Sequence, residues 1–355
     1  MFVCERLRSP EGGILQEQFP RQDLSCAGNG LGIGDEGRKL RTRSGTFWPF
    51  IGLIRGLKAR KRAPKLIVLE NVLGLLATNS GADFRAVATA VSKLGYRLGA
   101  MVVDAKHFVP QSRPRLFIIG IAEGLLVPHE IRTSEPVNPW HPDLLLKAYR
   151  ALPPKVMRNW IWFNPGTVPS TRKKLLDVVS DRSPDIHWHT AAETNRLMRM
   201  MSPINLKKIR DAKRTGDRII ATLFLRMRPE HGVNRQRAEI SFSDVAGCIR
   251  TPKGGGSRPR LLEVHGSEVR SRLLSPREAA TLMGLKKTYK LPKHYECAYR
   301  VIGDGVVVPA VAFIRSRILE PILLASKSTK RRRLASPRRE RRQGRRVRLA
   351  IAREA

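Results

Sequence analysis

The residues able to do distinctive chemistry fall in a few short clusters. Glu70 closes the run Lys65-Leu66-Ile67-Val68-Leu69-Glu70 and is followed by Asn71-Val72. A carboxylate therefore stands at the carboxyl end of a strand, where open α/β sheets place ligands. Some forty residues later, Gln111-Ser112-Arg113-Pro114-Arg115-Leu116 leads two guanidinium groups into a second apolar run, and Gly303-Asp304-Gly305-Val306 sets a carboxylate in a glycine turn ahead of a helix. Near the start, Pro20-Arg21-Gln22-Asp23-Leu24-Ser25 carries Arg21. A guanidinium is permanently protonated, donates hydrogen bonds and has no lone pair to offer carbon, so Arg21 is not a nucleophile. Taken singly, each cluster has a plain structural reading. Glu70 serves equally as a polar strand end or a helix cap, Arg113 and Arg115 as surface charges, and Asp304-Gly305 as a turn.

The surrounding pattern says what must position these groups. Phe47, Phe50, Ile51, Ile54 and Leu57 repeat at helical spacing within residues 44–60, and Lys61-Arg62-Ala63-Pro64 breaks that helix. The continuous apolar run 65–70 after proline has the look of a buried parallel strand. Phe84 to Leu94 reads as a helix closed by Gly95, and Ala100-Met101-Val102-Val103-Asp104 and Arg115-Leu116-Phe117-Ile118-Ile119-Gly120 read as strands. This alternation predicts an α/β sheet covered on both faces. From about 129 to 265 the periodicity decays into prolines, tryptophans and basic residues, with strand-like runs at Ile219–Leu225 and Leu261–Val264. Ser275 then makes a good helix N-cap with Pro276 at the first helical position, and a last helix runs from about Val308 to Leu324.

Charge names the class of partner. Lys and Arg number 67 against 30 Asp and Glu, for a net charge of +37, and such a field attracts polyanions, DNA or RNA by default. Residues 326–355 hold thirteen of these cations and two glutamates, which reads as a disordered basic tail adding phosphate affinity without sequence preference. No run of 18 apolar residues suggests a membrane span, and the charged first ten residues do not form a signal peptide. Cys4, Cys26, Cys248 and Cys297 lack CxxC spacing or paired histidines, so neither a zinc site nor a disulfide framework is expected, and a cytoplasmic, nucleoid-associated protein is the simplest reading.

In order and spacing, Gln22-Asp23-Leu24-Ser25 with Ala27-Gly28, Arg43-Ser44-Gly45-Thr46-Phe47, Glu70-Asn71-Val72, Gln111 to Leu116, Ser275-Pro276-Arg277-Glu278-Ala279-Ala280-Thr281-Leu282-Met283-Gly284 and Gly303 to Pro309 resemble the bacterial DNA (cytosine-5) methyltransferase family. The resemblance covers roughly residues 14–325. It implies a Rossmann-like methyltransferase sheet with an inserted, smaller target-recognition domain, S-adenosylmethionine as cofactor and double-stranded DNA as substrate. In that family a cysteine thiolate adds to cytosine C6, C5 becomes enamine-like and takes the methyl group, and elimination restores the base. The base must be flipped out of the duplex to react. By resemblance Glu70 would hydrogen-bond the base and protonate N3, Arg115 with Arg113 beside it would help hold the base at O2 and position the loop, and Asp304, Gly305 and Val306 would lie near the cofactor. Gln111, Arg235, Arg237, Arg250, Lys253, Gly254, Gly255 and Arg258 would contact DNA.

Two departures shape the expectation. Arg21 occupies the position where the family pattern Pro-Cys-Gln has its nucleophile, and Cys26 lies five residues on, too far along the chain to replace it. Nineteen residues precede Pro20 and contain no Phe-x-Gly-x-Gly turn, so the chain reads as truncated at its N-terminus, with an incomplete cofactor site that a separate chain would have to supply. The expected organisation is a partial catalytic domain over 1–128, a DNA-reading domain over 129–265, a return to the catalytic domain over 266–325 and the tail. The expected function is that of a methyltransferase homologue, from a restriction-modification setting or outside one, impaired in independent catalysis. The alternative is a non-catalytic DNA-binding remnant.

Overall fold

The structure, a computed structural model, describes Phe2–Val3 and residues 46–170, 173–180, 186–251 and 258–335. The chain forms two compact units, one drawn from residues up to 103, 115–167 and 313 onward, the other from 104–114 and 168–312. In the first unit, β1 (Phe2–Val3), α1 (Phe47–Ala59), β2 (Leu66–Asn71), α2 (Ala82–Lys93), β3 (Tyr96–Asp104) and β4 (Pro114–Ala122) follow in order. The sheet order is β1-β2-β4-β3. Phe50, Ile51 and Ile54 on α1, and Phe84, Ala88 and Val91 on α2, share a core with Ile67, Leu69, Leu98, Leu116 and Ile118 of the strands. Gly95, at φ +82°, follows α2 and donates its N–H to Ser92 O at 2.9 Å, the left-handed closure that glycine favours.

One expectation is corrected here. The run 66–71 pairs antiparallel with β4, Glu70 opposite Phe117 and Asn71 opposite Leu116, and antiparallel with β1. A continuous apolar run reports burial on both faces of a strand and carries no information on direction.

The first unit continues through β5 (Arg132–Thr133), α3 (Asp143–Arg150), α4 (Pro154–Arg158) and β6 (Trp162–Phe163). Leu145, Ala148, Leu152 and Val156 complete the same core, which is why residues 129–167 belong with the sheet and not, as expected, with the segment after it. Trp160 and Trp162 pack edge-on to each other in a cluster with Tyr149, in agreement with a core role.

The second unit holds α5 (Ala191–Arg199), α6 (Pro203–Thr215), β7 (Arg218–Glu230), β8 (Val233–Ser241), β9 (Arg260–His265), β10 (Glu268–Leu273), α7 (Pro276–Leu282) and α8 (Tyr295–Asp304). Its antiparallel sheet runs β10-β9-β7-β8. Leu197, Ile209, Leu223, Ile240, Leu262 and Val264 form its core. Ser275 caps α7 as its sequence indicates, accepting from Glu278 N at 3.2 Å while Glu278 Oε2 accepts from Ser275 N at 2.8 Å. Glu278 also takes both terminal nitrogens of the fully buried Arg272, at 2.8 and 2.6 Å. That pair fastens β10 to α7, so residues 266–312 side with this unit, and the expected border at 265 does not mark a boundary.

α9 (Val308–Ile314) is followed by a π-helical turn, Arg315–Leu319, and α10 (Glu320–Ala335). The tail expected as disordered from 326 is thus helical to Ala335; residues beyond it lie outside the described part. The stretch Tyr295–Lys327 is long and apolar enough to cross a membrane by length and composition alone. It is interrupted at residues 305–307, and Tyr299, Ile302, Ile314, Ile318 and Ile322 are buried in the protein, so it is weak evidence for a span. Cys248 is outside any disulfide, whereas Cys297 is disulfide-bonded, which the cysteine spacing did not indicate.

Candidate functional site

In the first unit the sheet brings Glu70 and Arg115 together. β2 ends on Glu70-Asn71 and β4 begins Pro114-Arg115-Leu116, and antiparallel register sets these ends side by side. Arg115 Nε lies 2.9 Å from Glu70 Oε1, with side-chain exposures of 14% and 20%. The carboxylate and guanidinium are thus shielded enough to strengthen their attraction and open enough to meet a ligand. Two residues forty-five apart in sequence thus form one charged pair at a strand end.

The second unit treats the neighbouring Arg113 differently. Its Nη1 donates to Ile249 O at 2.6 Å and to Cys248 Sγ at 3.5 Å, and its Nη2 donates to the carbonyls of Gly303 and Gly305, both at 2.9 Å. The resemblance implies two tasks for Arg113, beside the base and in positioning the loop, and these bonds of the buried guanidinium serve the second. Carbonyls at the end of α8 would otherwise lack donors, and an arginine fork satisfies several at once. Asp104 holds the loop from the other side, accepting from Arg113 N at 2.8 Å and Ser112 Oγ at 3.2 Å. Sequence reading missed Asp104, although an acid closing a strand nine residues before a basic loop is a usable signal for such a turn.

Gln111 is also corrected. Expected as a DNA contact, it is fully buried: Nε2 donates to Leu282 O at 2.8 Å and approaches Met283 Sδ at 3.4 Å, while Oε1 accepts from Ile249 N at 3.0 Å. An amide pairs as well with backbone as with a base edge, and sequence does not distinguish the two uses.

Asp304 ends α8 on the surface, where Oδ1 accepts from Thr251 Oγ1 at 2.6 Å. At Gly303 a Cβ would meet Thr251 N at 2.3 Å, so the helix end and the Arg250–Thr251 segment approach as closely as backbone allows. Gly305 and Val306 continue the turn, partly exposed.

Of the residues expected on DNA, Arg235 and Arg237 lie on β8, directly opposite Arg228 and Arg226 of β7. Arg237 Nε donates to Glu230 Oε1 at 2.6 Å, and this bond holds the Glu230 carboxyl below its usual range and raises the guanidinium. Arg250 is exposed, and Arg258 donates through Nε to Glu296 Oε1 at 2.8 Å while lying 5.1 Å over the Tyr295 ring. Lys253, Gly254, Gly255, Arg21 and Cys26 lie outside the described residues. Among the described residues no group of three His, Cys, Asp or Glu could hold a metal.

Comparison with known proteins supplies the family. The model of the C-5 cytosine-specific DNA methylase family matches residues 9–320. The orphan methyltransferase M.SPRI of Bacillus phage SPR is 27% identical over 216 residues, 60% of this chain and 45% of that protein. The DNA-cytosine methyltransferase of Escherichia coli K12 is 26% identical over 342 residues, 90% of this chain and 63% of that protein. The chain thus spans about half the length of the first such relative. Among solved structures, the S. pombe Dnmt2 methyltransferase aligns with a TM-score of 0.44 at 16% identity, covering 79% of this chain and 73% of its own. Because the family model spans most of the sequence, the chain belongs to the C-5 cytosine-specific DNA methylase family.

Proposed function

We propose that this chain is a cytosine-5 methyltransferase homologue that binds double-stranded DNA and receives a flipped cytosine at Glu70 and Arg115 without attacking it. The pairing of those two side chains at 2.9 Å carries the reading. A carboxylate beside a guanidinium presents an acceptor and donors side by side, which suits the amide-like edge of cytosine. In the free protein each charge answers the other. A base entering there would take up hydrogen bonds from both, and Glu70 could hold a proton at N3.

The next step of the family's chemistry needs an electron pair delivered to C6, and at the position matching the family's cysteine the sequence has Arg21. A guanidinium supplies none. The family's cofactor, S-adenosylmethionine, supplies the methyl group when bound. Of the described residues, the Gly303–Val306 turn offers such a molecule the exposed Asp304 carboxylate. Asp304, Gly305 and Val306 would line it. Arg113 acts here as a positioning residue for that turn.

The full-length chain, incubated with S-adenosylmethionine and mixed-sequence duplex DNA, should transfer no methyl group, and with a 5-fluorocytosine duplex it should form no covalent adduct. It should bind duplex in a salt-dependent manner, log K falling by about 0.9 per log salt for each phosphate neutralised. Clear methyl transfer refutes the inactivity, and salt-indifferent binding refutes the DNA reading. A second reading, DNA binding with no handling of the base, is favoured by the exposed arginines of β7 and β8, and Glu70→Gln separates the two as described below.

A further inference from the structure

β7 extends beyond its neighbour β9. Residues 218–223 pair with β9, while β7 from Phe224 to Glu230 pairs with β8 alone. The result is a two-stranded ribbon closed by His231 and Gly232, both at positive φ, the two-residue turn that matches strand twist. Side chains alternate across such a ribbon. One face therefore carries Arg226, Arg228 and Glu230 from β7 and Arg235, Arg237 and Glu239 from β8, with Arg226 opposite Arg237 and Arg228 opposite Arg235.

Like charges set directly opposite destabilise a strand pair. The two glutamates offset this. Glu239 Oε1 accepts from Arg228 Nε at 2.6 Å and its Oε2 lies 3.2 Å from Arg226 Nε; Glu230 takes Arg237. Arg235, level with Arg228, makes no ion pair among the described residues. Arg226 and Arg228 remain about half exposed despite their pairing, at 56% and 49%. Ion pairs so open to water are weak and exchange readily. A polar cleft of about 370 Å³ between this face and α6 adds Lys208 to the same cations.

From this arrangement we infer that Glu230 and Glu239 are displaceable internal counterions: they occupy the ribbon arginines in the free protein and give them up to duplex phosphates on binding. The inference rests on the DNA-binding reading above and specifies its surface. A two-stranded ribbon is of a size to enter the major groove, and its four arginines face one way with a net charge that rises once the carboxylates let go. The carboxylates keep the ribbon folded while the protein is free, and they lower its affinity for DNA by competing with phosphate.

The test is duplex binding by the full-length chain over a range of salt. Glu239→Gln, which frees two arginines, should tighten binding about threefold to tenfold, and Glu230→Gln, which frees one, about twofold to fivefold. If the arginines already reach phosphate in the unaltered protein, neither change steepens the salt slope by as much as one phosphate, about 0.9. Glu268→Gln removes an equal charge from the exposed start of β10, where it makes no ion pair among the described residues, and sets the long-range baseline. Arg235→Gln should lower the slope by about 0.9. Two glutamate variants guard against a misfolded ribbon in either one. The inference is overturned if neither tightens binding beyond the Glu268 baseline, or if Glu239→Gln steepens the slope by about 1.8, because the arginines were then locked and not exchanged. Absence of salt-dependent binding by the unaltered chain overturns the DNA reading itself, and the inference with it.

Discussion

Replacing Arg113 by lysine separates a positioning role from a role on the base. The guanidinium donates to three backbone carbonyls, those of Ile249, Gly303 and Gly305, at 2.6 to 2.9 Å. Hydrogen bonds from a charged donor contribute about 1.5–3 kcal/mol each, and a buried acceptor left without its donor carries a further penalty. A lysine ammonium is a point donor without the fork and keeps about one of the three. Loss of the other two predicts a destabilisation of about 3–5 kcal/mol in the second unit. Urea unfolding reads the total, and hydrogen exchange locates it. Ile249 N, held by Gln111 Oε1, and Gly305 N, bonded to Ile302 O, lie at either end of the pinned segment and should exchange much faster. If Arg113→Lys stays within about 1 kcal/mol of the original protein and both amides keep their protection, Arg113 does not hold the turn and the argument fails.

Burial pushes His141 down to about 4. Its ring stays neutral in the folded protein while the unfolded chain takes up a proton below about 6.5, so its contribution is complete above that pH and is lost as pH falls toward 4, by about 3 kcal/mol in all. Unfolding measured against pH for the protein and for His141→Phe should show this slope in the first and not in the second. Glu70→Gln should abolish any preference for a duplex with a mismatched, easily flipped cytosine over a fully paired one, by about tenfold in the ratio of affinities, while leaving the salt slope unchanged; an unchanged ratio favours DNA binding without base handling. Gly303→Ala drives a methyl group to 2.3 Å from Thr251 N and should destabilise by about 1–3 kcal/mol in thermal unfolding. Arg272→Met strands the buried Glu278 and should destabilise by about 3–5 kcal/mol, whereas the double change Arg272→Met with Glu278→Leu should recover much of that loss.

The first unit was legible because its elements announce themselves locally. α1, β2, α2 and β4 lie within a few residues of the positions their apolar spacing predicts, and the Ser275 cap is visible in a single tetrapeptide. Strand direction was not legible, since β2 would look the same paired either way. β8 escaped because Val233–Ser241 is mostly polar and owes its extended form to pairing with β7. His231-Gly232 is the signal that could have found it. Among the site residues, the Glu70–Arg115 pair follows from motif and register together. Gln111 and Arg113 read as ligand-facing because their donors suit bases, yet sequence does not reveal that Ile249, Leu282 and Gly303 come within reach. Contacts across more than a hundred positions are set by the tertiary fold.

The π-helical turn at Arg315–Leu319 carries a consequence for how this chain tolerates change. Such a turn accommodates one residue more than an α-helix would. Removing a residue there would let the backbone relax into an ordinary α-helix while leaving the residues after it on the faces they now occupy. Ile322, now wholly interior, would stay so. Shortening the chain by one position at this joint should therefore be far less damaging than the same deletion in the middle of α2, where Val91 would turn out of the core by about 100°.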